Sequence, residues 1–523
     1  MSQESLARLH DLPPDSLVGV DRGESRILLI RRDDTVSAFD GSCPHAGAPL
    51  AEGVLDGDTV ICPWHKAAFC LSTGACLEPP AVDGLRRIPI ELRDGEIFPL
   101  DRDPPETPQV QPRPDSRCFV ILGAGGAGFG AAQTLREDGY SGRLVMIDRE
   151  TLLPYDRTLL SKYALSGKHG DEKTPLQEAA FYRDHAIERR HAEAVELDAA
   201  SRSIRLEDGT ELRYDRALIA TGGVPVPAPF PGGYLRNVFT LRDKADADRI
   251  IEAAAPGKIA VVVGSGFIGM EAAASLRERG LEVVVVGPAE HPFEKQLGKR
   301  IGAVLQKMHE EQGVKFKLKR TIERLEGSGA VSTVVLADGE RIAADLVILG
   351  LGVRPATSIL TGVALTDGAV AVDSRLRAAD GLFAAGDIAS FPLGGDGHPI
   401  RVEHWRVAGQ HGRLAARNML GADIAYTAIP FFWTIQFGQQ VDYVGHGSGD
   451  DELVVRGDLE SHDFIAYYVR DGRVAAAAGM ARDRDMAAVL ALMTRQRDWR
   501  PDEIHPANAS PTQILEHRQR RPS

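Results

Sequence analysis

The sequence predicts a multidomain protein: a small all-β unit, then two α/β units, then a C-terminal α+β unit. Three observations predict it. Short apolar runs alternate with turn signals over the first hundred residues, two glycine-rich strand-to-helix turns recur about 140 residues apart, and antiparallel-like patterning returns after about residue 427. At 523 residues the chain is too long for one ordinary core, and about 150 residues per domain gives three or four.

Composition narrows the class. A hydrophobic fraction of 43% and a charged fraction of 26% are those of a globular protein with enough apolar material for real cores. The formal charge of -13 argues against a nucleic-acid or anionic-membrane partner and suits a basic or neutral protein. No stretch of about 20 uncharged apolar residues is present, and residues 1–15 carry acids and prolines where a signal peptide has a basic and then an apolar run. The expectation is no membrane span, no secretory signal and a cytoplasmic location. Of five cysteines, four fall between residues 43 and 76, which points to a metal and not to a disulfide framework.

The first unit, 1–103, has candidate strands at 26–30, 36–39 and 59–62, with Gly- and Pro-rich loops between them. Two of those loops read Cys43-Pro44-His45 and Cys62-Pro63-Trp64-His65, a Cys-x-His and a Cys-x-x-His pair separated by sixteen residues. This resembles a Rieske [2Fe-2S] domain, in which two thiolates hold one iron and two imidazoles the other. The metal ligands are then Cys43, His45, Cys62 and His65. Structural zinc also accepts Cys and His, but zinc knuckles usually pair Cys with Cys in the first loop. Cys70 and Cys76 are left over and read as ordinary reduced thiols. After His65 the chain runs Lys66-Ala67-Ala68-Phe69, without the hydroxyl donors of quinol-oxidising relatives, so a low-potential cluster is expected. Lys66 stands where the family usually has Gly; its charge would raise the potential, and a left-handed backbone there would cost about 1 kcal/mol.

Residues 103–115, DPPETPQVQPRPD, hold five prolines in thirteen residues; the linker is placed at 104–116. Extended polyproline geometry would let it act as a spacer of roughly 40 Å.

At 118–122 a buried-strand run leads into Gly123-Ala124-Gly125-Gly126-Ala127-Gly128, a helical stretch to Glu137 and a strand at 144–147. The unit recurs as 259–263, Gly264-Ser265-Gly266-Phe267-Ile268-Gly269, a helix to Arg279 and 283–286. A lone Gly-x-Gly-x-x-Gly is weak, but a preceding strand and a following helix make each a Rossmann-like dinucleotide turn, with backbone amides and the helix dipole facing a pyrophosphate. Asp148 or Glu150 stands at the strand end to bond a ribose hydroxyl. Later, 441–444, 452–455 and 464–469 read as strands, 486–493 as helix, and the tail beyond Arg500 as loose.

Further motifs are Leu153-Pro154-Tyr155-Asp156-Arg157, Leu160-Ser161-Lys162, Ala220-Thr221-Gly222, Gly350-Leu351-Gly352-Val353-Arg354-Pro355, Ala385-Gly386-Asp387 and Phe432-Trp433-Thr434. With them the chain resembles the pyridine-nucleotide-dependent flavoprotein reductases, in the branch of ferredoxin reductases and apoptosis-inducing factor. A Rieske domain followed by the reductase looks like that branch's apoptosis-inducing-factor-3-like members.

The resemblance implies FAD in a domain made of 117–240 and 366–426, NAD(P)H in 241–365, and a C-terminal reductase or dimerisation-type domain over 427–523. Its FAD residues are Gly123, Gly125, Gly126, Ala127, Gly128, Asp148, Glu150, Arg157, Lys162, Ala194, Thr221, Gly222, Gly386, Asp387 and Trp433. For NAD(P)H they are Gly264, Gly266, Phe267, Ile268, Gly269, Glu290 and Gly352. Lys162 would sit beside the flavin, paired with Glu271, and Phe267 and Trp433 would line the nicotinamide and flavin faces, although all four also suit surface charge or core packing.

Two departures stand out. Thr158-Leu159 replaces two prolines, and Gly287 replaces the glutamate that selects NADH in relatives. With no Arg or Lys close in sequence and Glu290 placed to repel a 2′-phosphate, NADH is favoured. No Cys-x-x-x-x-Cys or Cys-x-x-Cys accompanies the flavin segment, which excludes disulfide-reductase chemistry.

The expected function is electron transfer from NAD(P)H by way of FAD and the [2Fe-2S] cluster to an external ferredoxin, oxygenase, haem protein or small-molecule acceptor. The chain would be a monomer or homodimer. Rivals are direct reduction of acceptors at the flavin, and a redox-sensing NADH-binding protein of low turnover.

Overall fold

A computed structural model describes the chain except residues 1–3, 104–109, 111–113, 169–174, 395–396, 496–498, 501–502, 504–508 and 520–523. The proline-rich spacer falls largely outside the described residues. No described helix is long and apolar enough to cross a membrane.

The N-terminal unit is all-β. Leu17–Arg22, Ser25–Arg32 and Thr35–Asp40 form one antiparallel sheet, and Val54–Asp56, Thr59–Ile61, Ala68–Cys70 and Cys76–Glu78 another. Side chains of a strand alternate between faces, and in Ser25–Arg32 both faces are buried: Leu28 and Ile30 enter one cluster, Ile27 and Leu29 a second. The Cys43–His45 loop precedes the second sheet, and the Cys62–His65 loop joins two of its strands.

The first α/β unit is a six-stranded sheet in the order Ile187–His191, Arg143–Asp148, Cys118–Leu122, Arg216–Ile219, Leu382–Ala384, Arg377–Ala379, parallel except for the last pair. Its last two strands come from beyond the second unit, so it is assembled from two separated stretches of chain. The helix Trp405–Leu420 lies so close to the helix Gly126–Glu137 that a Cβ on Gly412 would stand 2.0 Å from the Ala127 carbonyl oxygen. The second α/β unit is five parallel strands, Val238–Phe239, Leu346–Leu349, Ile259–Val263, Glu282–Gly287 and Lys315–Leu318. The Val-, Ile- and Leu-rich runs of the three central strands, Leu346–Leu349, Ile259–Val263 and Glu282–Gly287, are those of strands buried on both faces.

The C-terminal unit is an antiparallel sheet, Phe431–Gln436, Gln439–Gly445, Arg473–Met480, Asp463–Arg470, Glu452–Asp458, with the helix Asp483–Arg495 packed on it. Two of these strands have no counterpart among the sequence-predicted ones. Arg473–Met480 is alanine-rich, a composition depleted in strands, and is used because the helix approaches closely: a Cβ on Gly479 would lie 2.6 Å from Met486 Sδ. The tail also departs from expectation. Instead of a loose end, Pro511–Gln519 forms a helix that buries Leu515, with Thr512 Oγ1 donating to Asp485 at 2.7 Å.

The N-terminal unit is docked on the C-terminal one. Val54, Ile61 and Ala68 share a core with Phe431, Trp433, Val444 and Tyr467. Lys66 adopts the left-handed backbone at φ 58 and is fully buried, its ammonium paired with Asp442 and donating to the carbonyls of Pro63 at 2.6 Å and Trp64 at 3.1 Å. The cation expected to raise the cluster's potential is thus paired with a buried carboxylate. Buried Arg406, on the helix Trp405–Leu420 of the first α/β unit, donates to the Pro79 carbonyl at 2.8 Å and ties the N-terminal unit to that unit as well.

Removing one partner of such a pair strands a buried charge. Asp442→Ala is expected to cost roughly 3–5 kcal/mol, read as a lowered unfolding midpoint, while Lys66→Met combined with Asp442→Leu costs much less.

Candidate functional site

The four predicted ligands converge at the seam as two pairs. His45 Nδ1 and His65 Nδ1 face each other at 3.1 Å, with ring centroids 4.8 Å apart. Cys43 and Cys62 are buried, unbridged and in side-chain contact; that contact and burial push the Cys43 thiol up, while its partner draws Cys62 down to about 7. Among the described residues no three Cys, His, Asp or Glu side chains gather as ligands of one ion. Two sulfurs on one side and two nitrogens on the other suit a two-iron cluster. Cys70 and Cys76 are free.

A cavity of about 440 Å³ opens at the carboxyl ends of the six-stranded sheet, where α/β folds bind dinucleotides. It is lined by Gly123, Gly125, Gly126, Ala127, Asp148, Glu150, Arg157, Lys162, Ala194, Thr221, Gly222, Gly386, Asp387, Phe267, Ile268, Glu271 and Trp433. Gly128 lies beneath: a Cβ there would meet the Gly123 carbonyl oxygen at 1.9 Å, which is why the helix can start so close to the strand. The turn is shaped for an anionic pyrophosphate at a helix N-terminus. No cysteine lines the cavity.

The cleft's charges are held in pairs. Glu150 is engaged by Arg157 and by the Tyr155 hydroxyl at 2.8 Å, whereas burial and the neighbouring Glu150 raise Asp148. Arg242 Nη2 lies 3.0 Å from Asp387, and the Gly386 amide donates to His411 Nδ1 at 3.4 Å. Lys162 Nζ is 3.1 Å from Glu271, both side chains under one-tenth exposed, so the pair is not a solvated surface one. Glu271 also accepts from Ser161 Oγ and from Thr434 Oγ1 at 2.6 Å. Gln436 Nε2 donates to Thr434 Oγ1 at 2.8 Å, and Gln436 Oε1 faces His309 Nε2 at 3.0 Å.

Trp433 belongs to both sites. It lines the cleft, its ring centroid lies 4.4 Å from that of His65 and 6.0 Å from that of His45, and it is 7% exposed. Phe267 lines the cleft against Phe432 and Phe293 at centroid distances of 4.6 and 5.1 Å.

Gly264, Gly266, Gly269, Gly352 and Glu290 do not line this cavity. The three glycines form the second turn, at the end of Ile259–Val263 and the start of the helix Phe267–Glu278. Glu290 corrects the sequence argument for NADH. Although no basic residue is near in sequence, folding brings Lys299 and Lys319 each to 2.7 Å from it, and these two hold its carboxyl down at about 2. The neighbouring Arg320 amide donates to the Gly287 carbonyl at 3.1 Å. The acid taken to repel a 2′-phosphate is matched by cations that sequence distance had hidden.

Sequence reasoning gave no role to Ser161, Thr434, Arg242, His411 or Asp156. Ser161, Thr434 and Asp156 stand inside quoted motifs beside residues that were singled out, which was signal enough to look. Arg242 had none, since its partner Asp387 lies 145 residues on.

A dinucleotide cleft that shares Trp433 with a paired Cys/His centre, beside a second glycine-rich strand-to-helix turn, defines a flavin-type oxidoreductase with its own iron–sulfur domain. Family descriptions agree: Pyridine nucleotide-disulphide oxidoreductase matches residues 118–412, Rieske [2Fe-2S] domain 3–89, and Reductase C-terminal 431–511. The chain belongs to the pyridine nucleotide-disulphide oxidoreductase family. It is 34% identical over 523 residues to Apoptosis-inducing factor 3 of Homo sapiens, covering 96% of this chain and 86% of that one. It is 33% identical over 378 residues to the biphenyl dioxygenase system ferredoxin–NAD(+) reductase component of Paraburkholderia xenovorans, covering 72% and 92%. Among solved structures, the covalent putidaredoxin reductase–putidaredoxin complex aligns with a TM-score of 0.74 at 27% identity, over 78% of this chain and 100% of that one. The protein is an FAD-dependent NAD(P)H oxidoreductase that carries a [2Fe-2S] cluster.

Two outcomes are expected. Because Glu290 is neutralised, kcat/KM for NADH over NADPH should differ by less than about tenfold, in steady-state assays with both coenzymes. His309 and His411 are fully buried, and burial lowers them to about 4 and about 3. Below about pH 6.5 the unfolded chain therefore binds protons that the folded one does not, and stability falls on acidification by up to about 1.4 kcal/mol per pH unit for each. Unfolding midpoints followed from about pH 7 to about pH 4.5 should decline less steeply in His309→Gln.

Proposed function

We propose that electrons from NAD(P)H leave the flavin cleft at Trp433, reach the docked Rieske pair, and pass from there to an external protein. When bound, FAD takes a hydride from NAD(P)H and releases its electrons singly, and the [2Fe-2S] cluster accepts them one at a time. The observation that carries this reading is Trp433 lying between the cleft and the rings of both histidines.

In this reading Cys43 and Cys62 hold one iron and His45 and His65 the other. The amides of residues 125–128 face the FAD pyrophosphate, Asp387 serves its ribityl end, and Glu150, oriented by Tyr155 and Arg157, accepts from its ribose. Lys162 supplies a fixed positive charge where electron density gathers, and Glu271, clamped by Ser161 and Thr434, keeps it there. The turn of Gly264, Gly266 and Gly269 takes NAD(P)H, with Phe267 and Ile268 on the nicotinamide side.

The names of the bacterial relative and of the solved complex join a reductase to a separate ferredoxin-type protein. Here a fused Rieske unit lies against the flavin cleft, so the proposed acceptor is the kind of protein a ferredoxin serves, an oxygenase or haem protein. The net charge of -13 suits a basic or neutral surface on it. The likeness to Apoptosis-inducing factor 3 over 96% of the chain supports a second reading, a redox sensor of low turnover. NADH-dependent dimerisation with slow turnover toward every acceptor would favour that one.

Anaerobic rapid mixing with NADH is expected to bleach the flavin first and reduce the cluster afterwards, and Lys162→Met should slow the first phase by roughly a hundredfold. A cluster that stays oxidised while the flavin turns over refutes the route.

A further inference from the structure

A carboxylate with no task in the reading above faces one of the ligand histidines. Asp156 Oδ2 lies 3.6 Å from His45 Nε2, an ion-pair distance and not a hydrogen bond, with the two side chains only 10% and 15% exposed. The opposite ring nitrogen, His45 Nδ1, is the one turned toward His65. The ligand edge and the Asp156 edge of the imidazole are therefore different edges. Asp156 is held in place, since its Oδ1 accepts the Thr158 amide at 2.8 Å. It does not line the flavin cleft, and the neighbouring Arg157 is engaged by Glu150.

We propose that Asp156, a residue of the reductase body, is a positioning residue that lowers the reduction potential of the Rieske cluster from across the domain seam. The proposal rests on the assignment of Cys43, His45, Cys62 and His65 as the cluster's ligands. Reduction adds one electron, and so one negative charge, to the cluster. A fixed carboxylate beside a ligand ring, where little water screens it, opposes that added charge. It also polarises the ring through its outer nitrogen, which strengthens the inner nitrogen as a donor to oxidised iron. Both effects act in the same direction. The two cations that act on His65, Lys66 and Lys162, are each matched by a carboxylate of their own, Asp442 and Glu271. Among the described residues, Asp156 is the carboxylate at ion-pair distance from a histidine of the pair. Because it belongs to the body and not to the Rieske unit, its influence is exerted in the docked arrangement.

The test is a redox titration of the full-length holoprotein at one pH, with the reduced cluster followed by electron paramagnetic resonance. In Asp156→Asn the ratio of oxidised to reduced cluster at a given potential is expected to shift about tenfold toward reduced, a midpoint about 59 mV higher for a one-electron couple, with altered g-values. Asp156→Glu, which keeps the charge, is expected to stay near the wild-type midpoint. Glu78→Gln takes the charge from a seam contact to Gln410 and Arg406, and so weakens it, but touches no ligand histidine, and is expected to leave the midpoint in place. An unshifted midpoint and spectrum in Asp156→Asn overturn the proposal. So does an equal shift in Glu78→Gln, which would make loosened docking the cause. A wild-type protein with no Rieske-type signal and no acid-labile sulfide overturns the ligand assignment itself, whereas a normal signal that Asp156→Asn does not move overturns only the role of Asp156.

Discussion

The arrangement of this molecule depends on the burial of the Cys43–His45 and Cys62–His65 loops against the C-terminal sheet. Without that seam, His65 would not lie against Trp433, and the cleft and the cluster would be two sites joined by a proline-rich spacer. Hydrophobic contact alone does not make the seam specific, because the contacts of Val54, Ile61 and Ala68 are apolar and non-directional. The buried pair Lys66–Asp442 defines one register, since any other arrangement leaves an ammonium and a carboxylate in a dry environment without partners. Ion pairs of this kind contribute little net stability and much positional definition. Lys66, unusual for its left-handed backbone, is explained by that function.

The same logic runs through the flavin cleft. A chain of net charge -13 places several cations around one cavity and gives each an acid: Lys162 with Glu271, Arg157 with Glu150, Arg242 with Asp387. None of these side chains is then free to collapse onto a ligand in an arbitrary pose. Charge that is already oriented costs no reorganisation when electron density moves past it. Glu271 shows how far such orientation extends: its clamp runs through Thr434 and Gln436 to His309, on the helix Glu294–Glu311, which does not line the flavin cleft.

How much of this was legible follows from the range of the interactions. The strand Cys118–Leu122, the turn after it and the helix to Glu137 were readable because apolar run, glycine spacing and helix follow one another directly in the chain. The Rieske unit was readable for the same reason, as two short Cys/His loops with their own spacing. The Lys162–Glu271 pair came only through resemblance, and Thr434 on Glu271, 163 residues away, was not seen at all. The lysines around Glu290 meet it only once the strand–helix–strand unit that carries all three has folded, and the contact of Asp156 with His45 exists only once separate units pack. Arg473–Met480 was missed because its alanines answer a helix lying on them, and the helix Pro511–Gln519 because its few apolar residues make sense only against a finished core.

The seam also has a consequence for biosynthesis. Lys66 leaves the ribosome 376 residues before Asp442 does, and the flavin-binding sheet lacks its strand Leu382–Ala384 until late in translation. At about 5–20 residues per second, the nascent Rieske unit waits roughly 20–75 s with its histidine-bearing loops uncovered. Through that interval the two loops lack their cover; once the C-terminal sheet arrives, Trp433 lies against His65 and Asp442 pairs with Lys66.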